Sequence, residues 1–410
     1  MIIVRGEAEE IKKIHKWLLV YGRRKTGKTF LLRNLTDYDE YYFVKRDRGI
    51  LTDSGALSYE TFLELFKRQL NDGGTVIVDE FHRLGEGFQD ILHFLPKKGK
   101  VILVSSTLHL SRKLVGSHSP LLGVVAEFQM PLLRLFDVLS SLHGDGLSKK
   151  ELVETAVLLR EPITIDHYTP GEGAVSTFTR VMTSTKYLVP ALIGEIFTEE
   201  DRSLSAVYEG VLRAIAGGKC VSSEISSFLF SHGLIKKDDP SLLQQYLNNL
   251  VSFGLLKRLK VYNKRRYVYM HTSPLVYLYF YADEKYNLSE IEAGPEVISR
   301  IIAELYPRII EGAVRELLAE HFGLVESVVR EKDFDIDAYL LRFKTPEVAV
   351  EVKWKDKVSS KDVRKAEDTL SRVEAKRRIL FVPDKKKVEC GSDLEIMDVG
   401  DVLQGRASAE

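Results

Sequence analysis

The stretch WLLVYGRRKTGKTFLL, residues 17–32, decides the reading of this chain. From Gly22 to Thr29 it spells Gly-x-x-x-x-Gly-Lys-Thr, the phosphate-binding loop pattern. An apolar run precedes the loop, and a helical pattern (Phe30, Leu31, Leu32, Leu35) follows it. Strand, glycine loop and helix in that order are the context the pattern requires. Gly22 and Gly27 let the backbone bend so that successive amides point at phosphate oxygens, and the helix N-terminus adds partial positive charge. Lys28 is expected at the β- and γ-phosphates of ATP, and the Thr29 hydroxyl on Mg2+. Arg23, Arg24, Lys25 and Thr26 complete the loop, and Phe30 opens the helix, so all of residues 22–30 are expected nucleotide contacts.

Further on, Val76, Ile77 and Val78 lead into Asp79 and Glu80. An apolar strand that ends in two acids is what a Walker B element needs. Asp79 is expected to reach Mg2+ from the carboxyl end of a buried strand. Glu80 is expected to orient or deprotonate the attacking water. A second apolar run, 101–104, ends in Ser105, Ser106 and Thr107. Ser106 is the expected contact to the γ-phosphate or the water, with a helix cap as the alternative. His82, beside the acids, reads as a surface residue.

The bulk numbers bound the rest. A chain of 410 residues with zero net charge, 44% hydrophobic and 29% charged residues has an ordinary globular composition. Its length suggests about two to four domains. It is no polycation, so any nucleic-acid surface must be local. The two cysteines, Cys220 and Cys390, provide no disulfide framework and fit a reducing cytoplasm. No signal peptide is expected, since charges follow residues 1–4 at once, and no apolar stretch approaches bilayer length, so no membrane partner is expected. Scarce Asn, Gln, Met and Cys beside plentiful Lys, Arg and Glu suit a thermophile.

Strand and helix patterns alternate at first, with strands at 18–21, 41–44, 75–78, 101–104 and 125–130 and helices at 59–70 and 86–95. That alternation predicts an α/β sheet with helices on both faces. From Pro131 to about Thr198 amphipathic helices dominate, and a helical lid is the natural reading. Between 204 and 282, three short helices precede two strands joined at the charged turn 263–266, the pattern of a winged helix. Its wing carries Lys257, Arg258, Lys260, Lys264, Arg265 and Arg266, expected on DNA phosphates, and Gln244, Gln245, Asn248 and Asn249 are expected at base edges. Tyr277, Tyr279 and Tyr281 read as core packing. A polar stretch with Gly294-Pro295, residues 283–296, predicts a linker.

The last unit begins with a long helix bearing Glu311, then a strand with Asp335 and Asp337, then a strand ending Glu351-Val352-Lys353. Strand period two places Glu351 and Lys353 on one face. An Asp, a following Glu-x-Lys and an upstream helical Glu resemble the PD-(D/E)XK nuclease core, although Ile336 stands where the motif's proline would be. On that resemblance Asp337 and Glu351 hold Mg2+ with Glu311 as an outer ligand, and Lys353 steers or deprotonates the water that attacks a phosphodiester. Lys355, Lys357, Lys361, Arg364 and Lys365 would then lie along the DNA backbone.

Taken together, the loop, the VIVDEF acids, the LVSST strand, HSPLLG, AVYEGVLRAIAGG and LNNLVSFGLLKR resemble an archaeal AAA+-related ATPase family with a C-terminal domain of unknown function. The resemblance spans essentially the whole chain. It implies a five-stranded core whose sensor strand lies between the Walker A and Walker B strands. The expected fold is α/β: a P-loop NTPase three-layer core (1–135), a helical lid (136–203), a winged helix (204–285) and an α/β restriction-endonuclease-like domain (297–400). Members usually follow SPLYG with two arginines, where this chain has Gly123, Val124 and Val125. That departure predicts slow turnover or a substitute such as Arg112 or Arg134. Arg5 and Glu7 resemble the start of an adenine-contacting segment.

The expected function is a cytoplasmic ATPase whose nucleotide state controls DNA binding, with metal-dependent DNA cleavage as a further activity of the tail. The alternative is a slow switch whose nuclease fold only binds DNA or protein. A homo-oligomer stays among the expected partners. A pure structural adaptor leaves the loop, the acid pair and Glu-x-Lys unexplained.

Overall fold

Seven strands build the first sheet: β1 (Leu18–Tyr21), β2 (Glu40–Val44), β3 (Ile50–Thr52), β4 (Gly55–Leu57), β5 (Thr75–Asp79), β6 (Lys100–Ser105) and β7 (Ala126–Gln129). The structure, a computed structural model, describes residues 1–107, 121–184, 187–199, 202, 204–291, 293–389 and 391–407, without the side chains of 199, 406 and 407. The sheet order is β4-β3-β2-β5-β6-β1-β7. From β2 to β7 every neighbour is parallel, and the β3–β4 hairpin closes one edge antiparallel. The β6 sensor strand therefore lies between β1 and β5, the order the resemblance implied.

Alternation along these strands feeds two cores. Leu19, Val76, Val78, Val101 and Leu103 pack on Phe62 and Phe66 of α3 (Tyr59–Asn71) and on Phe88 and Leu92 of α4 (Glu86–Phe94). Leu18, Val20, Ile77, Ile102 and Val104 pack on Ile11 of α1 (Gly6–Lys13) and on Leu31 and Leu32 of α2 (Lys28–Leu35). A parallel sheet covered on both faces explains why all four residues of β1 are buried.

Four helices follow: α5 (Leu135–Leu142), α6 (Lys149–Leu159), α7 (Ala174–Ser184) and α8 (Leu188–Glu199). A capping box between Ser148 and Glu151 starts α6. Next come α9 (Ala206–Ala216), α10 (Ser222–Ser231), α11 (Gln244–Ser252) and the antiparallel hairpin of β8 (Leu256–Lys260) and β9 (Tyr267–His271). The linker expected over 283–296 is shorter, because α12 (Pro274–Tyr286) runs on to Tyr286. Tyr279, Phe280 and Tyr281 are buried on it, and Asp283 pairs with Arg213 at 2.6 Å, so the helix has tertiary support to its end. Asn287, at φ 53°, turns the chain out.

The 28-residue α13 (Pro295–Phe322) then packs against a second sheet of β10 (Val325–Arg330), β11 (Asp335–Arg342), β12 (Thr345–Val352), β13 (Arg377–Phe381) and β14 (Glu395–Met397). The order is β10-β11-β12-β13-β14, antiparallel up to β12 and parallel beyond. Its other face is covered by α14 (Ser360–Ser371), through Val363, Ala366 and Leu370; α15 (Val399–Ala407) ends the fold.

These later parts are not beads on a string. One apolar cluster runs from Leu139 and Phe178 through Leu212 and Leu247 to Leu305 and Val350. The β8–β9 hairpin docks edge-on to β10: Val261 bridges Val328, the Tyr262 amide donates to the Val328 carbonyl at 2.9 Å, and Ser327 Oγ donates to the Lys260 carbonyl at 2.9 Å. Among the described residues no helix is long and apolar enough to cross a membrane.

Candidate functional site

The loop between β1 and α2 is shaped by two close constraints. A Cβ on Gly22 would stand 2.4 Å from the Met130 carbonyl, so only glycine fits there. Gly27 has φ +84°, a left-handed value that side chains resist. Lys28 Nζ donates to the carbonyls of Gly22 and Arg23, both at 2.9 Å, and so spans the loop from inside. Thr26 Oγ1 donates back to the Arg23 carbonyl at 2.9 Å. Arg5, paired with Glu7, donates to the Thr26 carbonyl at 2.7 Å, which ties the start of the chain to the loop. Lys25, Gly27, Lys28, Thr29 and Phe30 line a cleft of about 1080 Å3, with Arg33, Lys45, Arg46, Glu80, Arg83 and Ser106 on its other walls.

Asp79 lies at the foot of this cleft, buried. Its Oδ2 accepts from Thr29 Oγ1 at 2.6 Å and from the Tyr41 hydroxyl at 2.5 Å. Burial and the Asp79 charge hold the Tyr41 hydroxyl far above its ordinary pKa, so it stays a donor. Glu80 has φ +57°, which turns its side chain from the strand into the cleft wall. Ser106 Oγ donates to Glu80 Oε2 at 3.0 Å, so the predicted sensor-strand hydroxyl and the predicted base meet. Arg83 Nη2 lies 3.2 Å from the same oxygen, and His82 Nε2 3.6 Å from it. His82 is therefore not the surface residue its position suggested: Ser105 Oγ holds its Nδ1 at 3.1 Å and turns the ring toward Glu80.

Two loop arginines pair with the helical unit, although Arg24 also lines the cleft. Arg23 Nη2 pairs with Glu161, which is fully buried at the end of α6. Arg24 pairs with Glu195 of α8 at 2.7 Å. Of the two substitute arginines, Arg134 pairs with Glu10 at 2.7 Å and Glu7 at 3.4 Å and does not line the cleft; Arg112 lies outside the described residues.

A second cluster lies on α13, β11 and the end of β12. Asp335, Asp337, Glu351 and Lys353 all act on the charge of Glu311. Burial, then the Asp337 and Asp335 carboxylates, push Glu311 up to about 8. Burial and Asp337 push Glu351 up to about 7, although Lys353 Nζ donates to Glu351 Oε2 at 2.7 Å. Burial also raises Asp337, whose Oδ2 accepts from the Val352 amide at 2.8 Å. Glu311, Asp335 and Asp337 border a recess of about 510 Å3 that Cys220, Tyr277 and Arg308 close from the other side. Among the described residues no three His, Cys, Asp or Glu side chains are set to grip one metal ion.

The basic hairpin is placed differently from its sequence reading. Lys257 pairs with Glu316 at 3.1 Å and Glu326 at 3.2 Å, and Lys264 with Glu331 at 2.7 Å. Lys264 and Arg266 both donate to the Arg330 carbonyl. These three cations fasten the hairpin to β10 and its flanks. Arg258, Lys260 and Arg265 remain exposed, as do Gln245 and Asn248 on α11, while Asn249 donates to the Tyr208 hydroxyl at 2.6 Å.

Residues 14–139 match the family model of the AAA domain. With the loop and Glu80 on one cleft and Asp79 bonded to Thr29 behind it, this unit is an AAA-type ATPase domain, and the chain is an ATPase. No curated protein matches the chain. Among solved structures, the Aeropyrum pernix ORC2 protein in ADPNP–ADP complexes is 13% identical at TM-score 0.40, covering 77% of this chain and 95% of that one. The Aeropyrum pernix ORC1 protein in complex with DNA is 14% identical at TM-score 0.30, covering 67% and 88%. A Pyrococcus horikoshii signal-transduction ATPase with a tetratricopeptide repeat sensor is 14% identical at TM-score 0.32, covering 78% and 48%.

Proposed function

We propose that the chain binds and hydrolyses Mg·ATP at residues 22–30, Asp79, Glu80 and Ser106, and that nucleotide state sets its affinity for DNA. The Thr29 hydroxyl and Asp79 carboxylate, 2.6 Å apart, are hard oxygen donors of the kind a small divalent cation takes, so the residues fit Mg2+. Such an ion, when bound, neutralises charge on the phosphates. Lys28 grips the terminal phosphates, Thr29 and Asp79 hold the ion, Ser106 positions Glu80, and Glu80 orients the water and takes its proton. We read 204–285 as a winged helix that meets DNA through α11 and through Arg258, Lys260 and Arg265. We read 297–400 as a PD-(D/E)XK-like domain.

One observation carries the coupling. Two consecutive residues at the end of α6 hold the C-terminal unit and the loop: Arg160 binds Glu316 of α13, and Glu161 binds Arg23. Glu316 in turn binds Lys257 of the hairpin at 3.1 Å. A loop that shifts on phosphate binding therefore moves a residue pair on which the hairpin is anchored. The test is DNA affinity measured with Mg·ATPγS and with Mg·ADP. At least a fivefold difference is expected, and equal affinities would overturn the coupling.

Cleavage is the finer reading. Asp337 and Glu351, with Glu311 nearby, would hold the metal, and Lys353 would act on the water. The second reading, a nuclease fold used only for binding, is favoured by Lys353 Nζ already bonding Glu351 Oε2 at 2.7 Å. Incubation of DNA with Mg2+ or Mn2+ and with a Glu351→Ala variant separates them: metal-dependent cutting lost in the variant supports a nuclease, and no cutting by either supports the binding fold.

A further inference from the structure

We infer that Arg83 is an arginine acting in cis on the γ-phosphate, shared between that phosphate and Glu80. The inference rests on the reading of Glu80 as the base.

Arg83 follows the acid pair on a single 3-10 turn, Phe81–Leu84, that begins at left-handed Glu80. The turn brings Arg83 to the wall of the nucleotide cleft. Nη1 donates to the Val44 carbonyl at the end of β2, at 2.8 Å. Nη2 lies 3.2 Å from Glu80 Oε2, and the side chain is only 15% exposed. The guanidinium is therefore held at the ends of β2 and β5, on the cleft that Lys28, Thr29 and Glu80 also line. Lys25 and Arg46 also line the cleft, and three of its other cations are held by acids. Arg24 is drawn to Glu195, Arg33 to Asp53 and Lys45 to Asp47. Among the described residues, Arg83 is the arginine of this cleft that bonds the acid.

The chemistry follows from the competition for this guanidinium. Glu80 Oε2 takes Ser106 at 3.0 Å and Arg83 at 3.2 Å, with His82 close by. A carboxylate so saturated is a weak base. A terminal phosphate carries more charge and offers oxygens that match the guanidinium fork. When Mg·ATP is bound, Arg83 turns one donor to a γ-oxygen and frees an Oε2 lone pair. In the step itself, the water oxygen forms a bond to the γ-phosphorus while the bond to the β,γ-bridging oxygen breaks. ADP keeps that electron pair, and the water proton passes to Glu80. Arg83 then neutralises charge on the transferring group. It ties base activity to the presence of a third phosphate, with no second subunit needed.

The test uses the full chain. Arg83→Ala, Arg83→Gln and Arg83→Lys are compared with wild type for Mg·ATP turnover and for affinity towards ATPγS and ADP. Arginine fingers are worth about 10³ to 10⁵ in rate, so Arg83→Ala is expected to lose roughly 100-fold or more in kcat. KM should move far less, and Arg83→Lys should recover part of the rate. The ATPγS-over-ADP preference should collapse in Arg83→Gln, and wild-type specific rate should not change on dilution. An unchanged preference in Arg83→Gln, a kcat within twofold in Arg83→Ala, or a specific rate that falls on dilution would each overturn the inference. If wild type does not turn over, the ATPase reading fails, and the affinity ratio still decides the role of Arg83. If Arg83→Ala does not fold, the Gln and Lys variants decide it.

Discussion

Arg23, in the phosphate-binding loop, and Glu161, at the end of α6, form a buried pair: Nη2 stands 2.7 Å from Oε2, and both side chains are almost wholly shielded. They are 138 residues apart. The pair joins the loop that holds phosphate to the helix that holds the C-terminal unit.

Removing one member leaves a buried charge alone, which costs about 3–5 kcal/mol. Glu161→Gln should therefore lower the melting temperature sharply, and Arg23→Met with Glu161→Leu should recover much of the loss. Thermal unfolding of the three variants checks this. Similar melting of Glu161→Gln and wild type would show that the pair is idle.

Glu311 gives a pH test. Its folded-state pKa is raised to about 8 by burial and by neighbouring acids. The folded form therefore keeps a proton that the unfolded chain releases near its ordinary pKa, about 4.3. Stability from this group is complete below that value and is lost as pH rises through about 8. Glu311→Gln should melt like wild type at pH 4 and above it at pH 9. Parallel melting curves across that range would contradict the placement of Glu311.

Tyr41 is expected to matter for the metal rather than for the base. Tyr41→Phe removes one donor from Asp79 Oδ2, an effect of about 1–2 kcal/mol for a hydrogen bond to a charged group. The Mg2+ concentration for half-maximal ATPase activity should rise several-fold, with kcat at saturating Mg2+ nearly kept. An unchanged Mg2+ dependence would remove Tyr41 from the site.

DNA binding separates the hairpin cations. Replacing Arg258, Lys260 and Arg265 by Ala should lessen the log–log salt slope of DNA binding by roughly 2 to 3. Lys264→Ala should instead loosen the hairpin from β10 and lower the melting temperature, with little change in slope. The opposite pattern would mean that the docked cations are the ones that meet DNA.

The parts of the site legible in the sequence were those fixed by local backbone chemistry. Gly22 and Gly27 belong to a pattern complete within eight residues, although what bars a side chain at Gly22 is the distant Met130 carbonyl, and Asp79 and Glu80 ended an unmistakable buried strand. Tyr41 and Arg83 carried no such signal. Tyr41 reads as one more aromatic on β2, and only the parallel register of β2 with β5 brings it to Asp79. Composition could not tell exposed wing cations from docked ones, because Lys257 and Lys264 find their acids on α13 and just past β10, more than fifty residues on. A motif-level hint for His82 and Arg83 did exist: two basic residues within three positions of a candidate base.

The most direct measurement is phosphate release from Mg·ATP by wild type and by Lys28→Ala, with folding of both checked by melting. Turnover by wild type, lowered at least about 100-fold in the variant, is the expected result for loss of a transition-state phosphate contact. Equal release from the two proteins would contradict a nucleotide site in this loop.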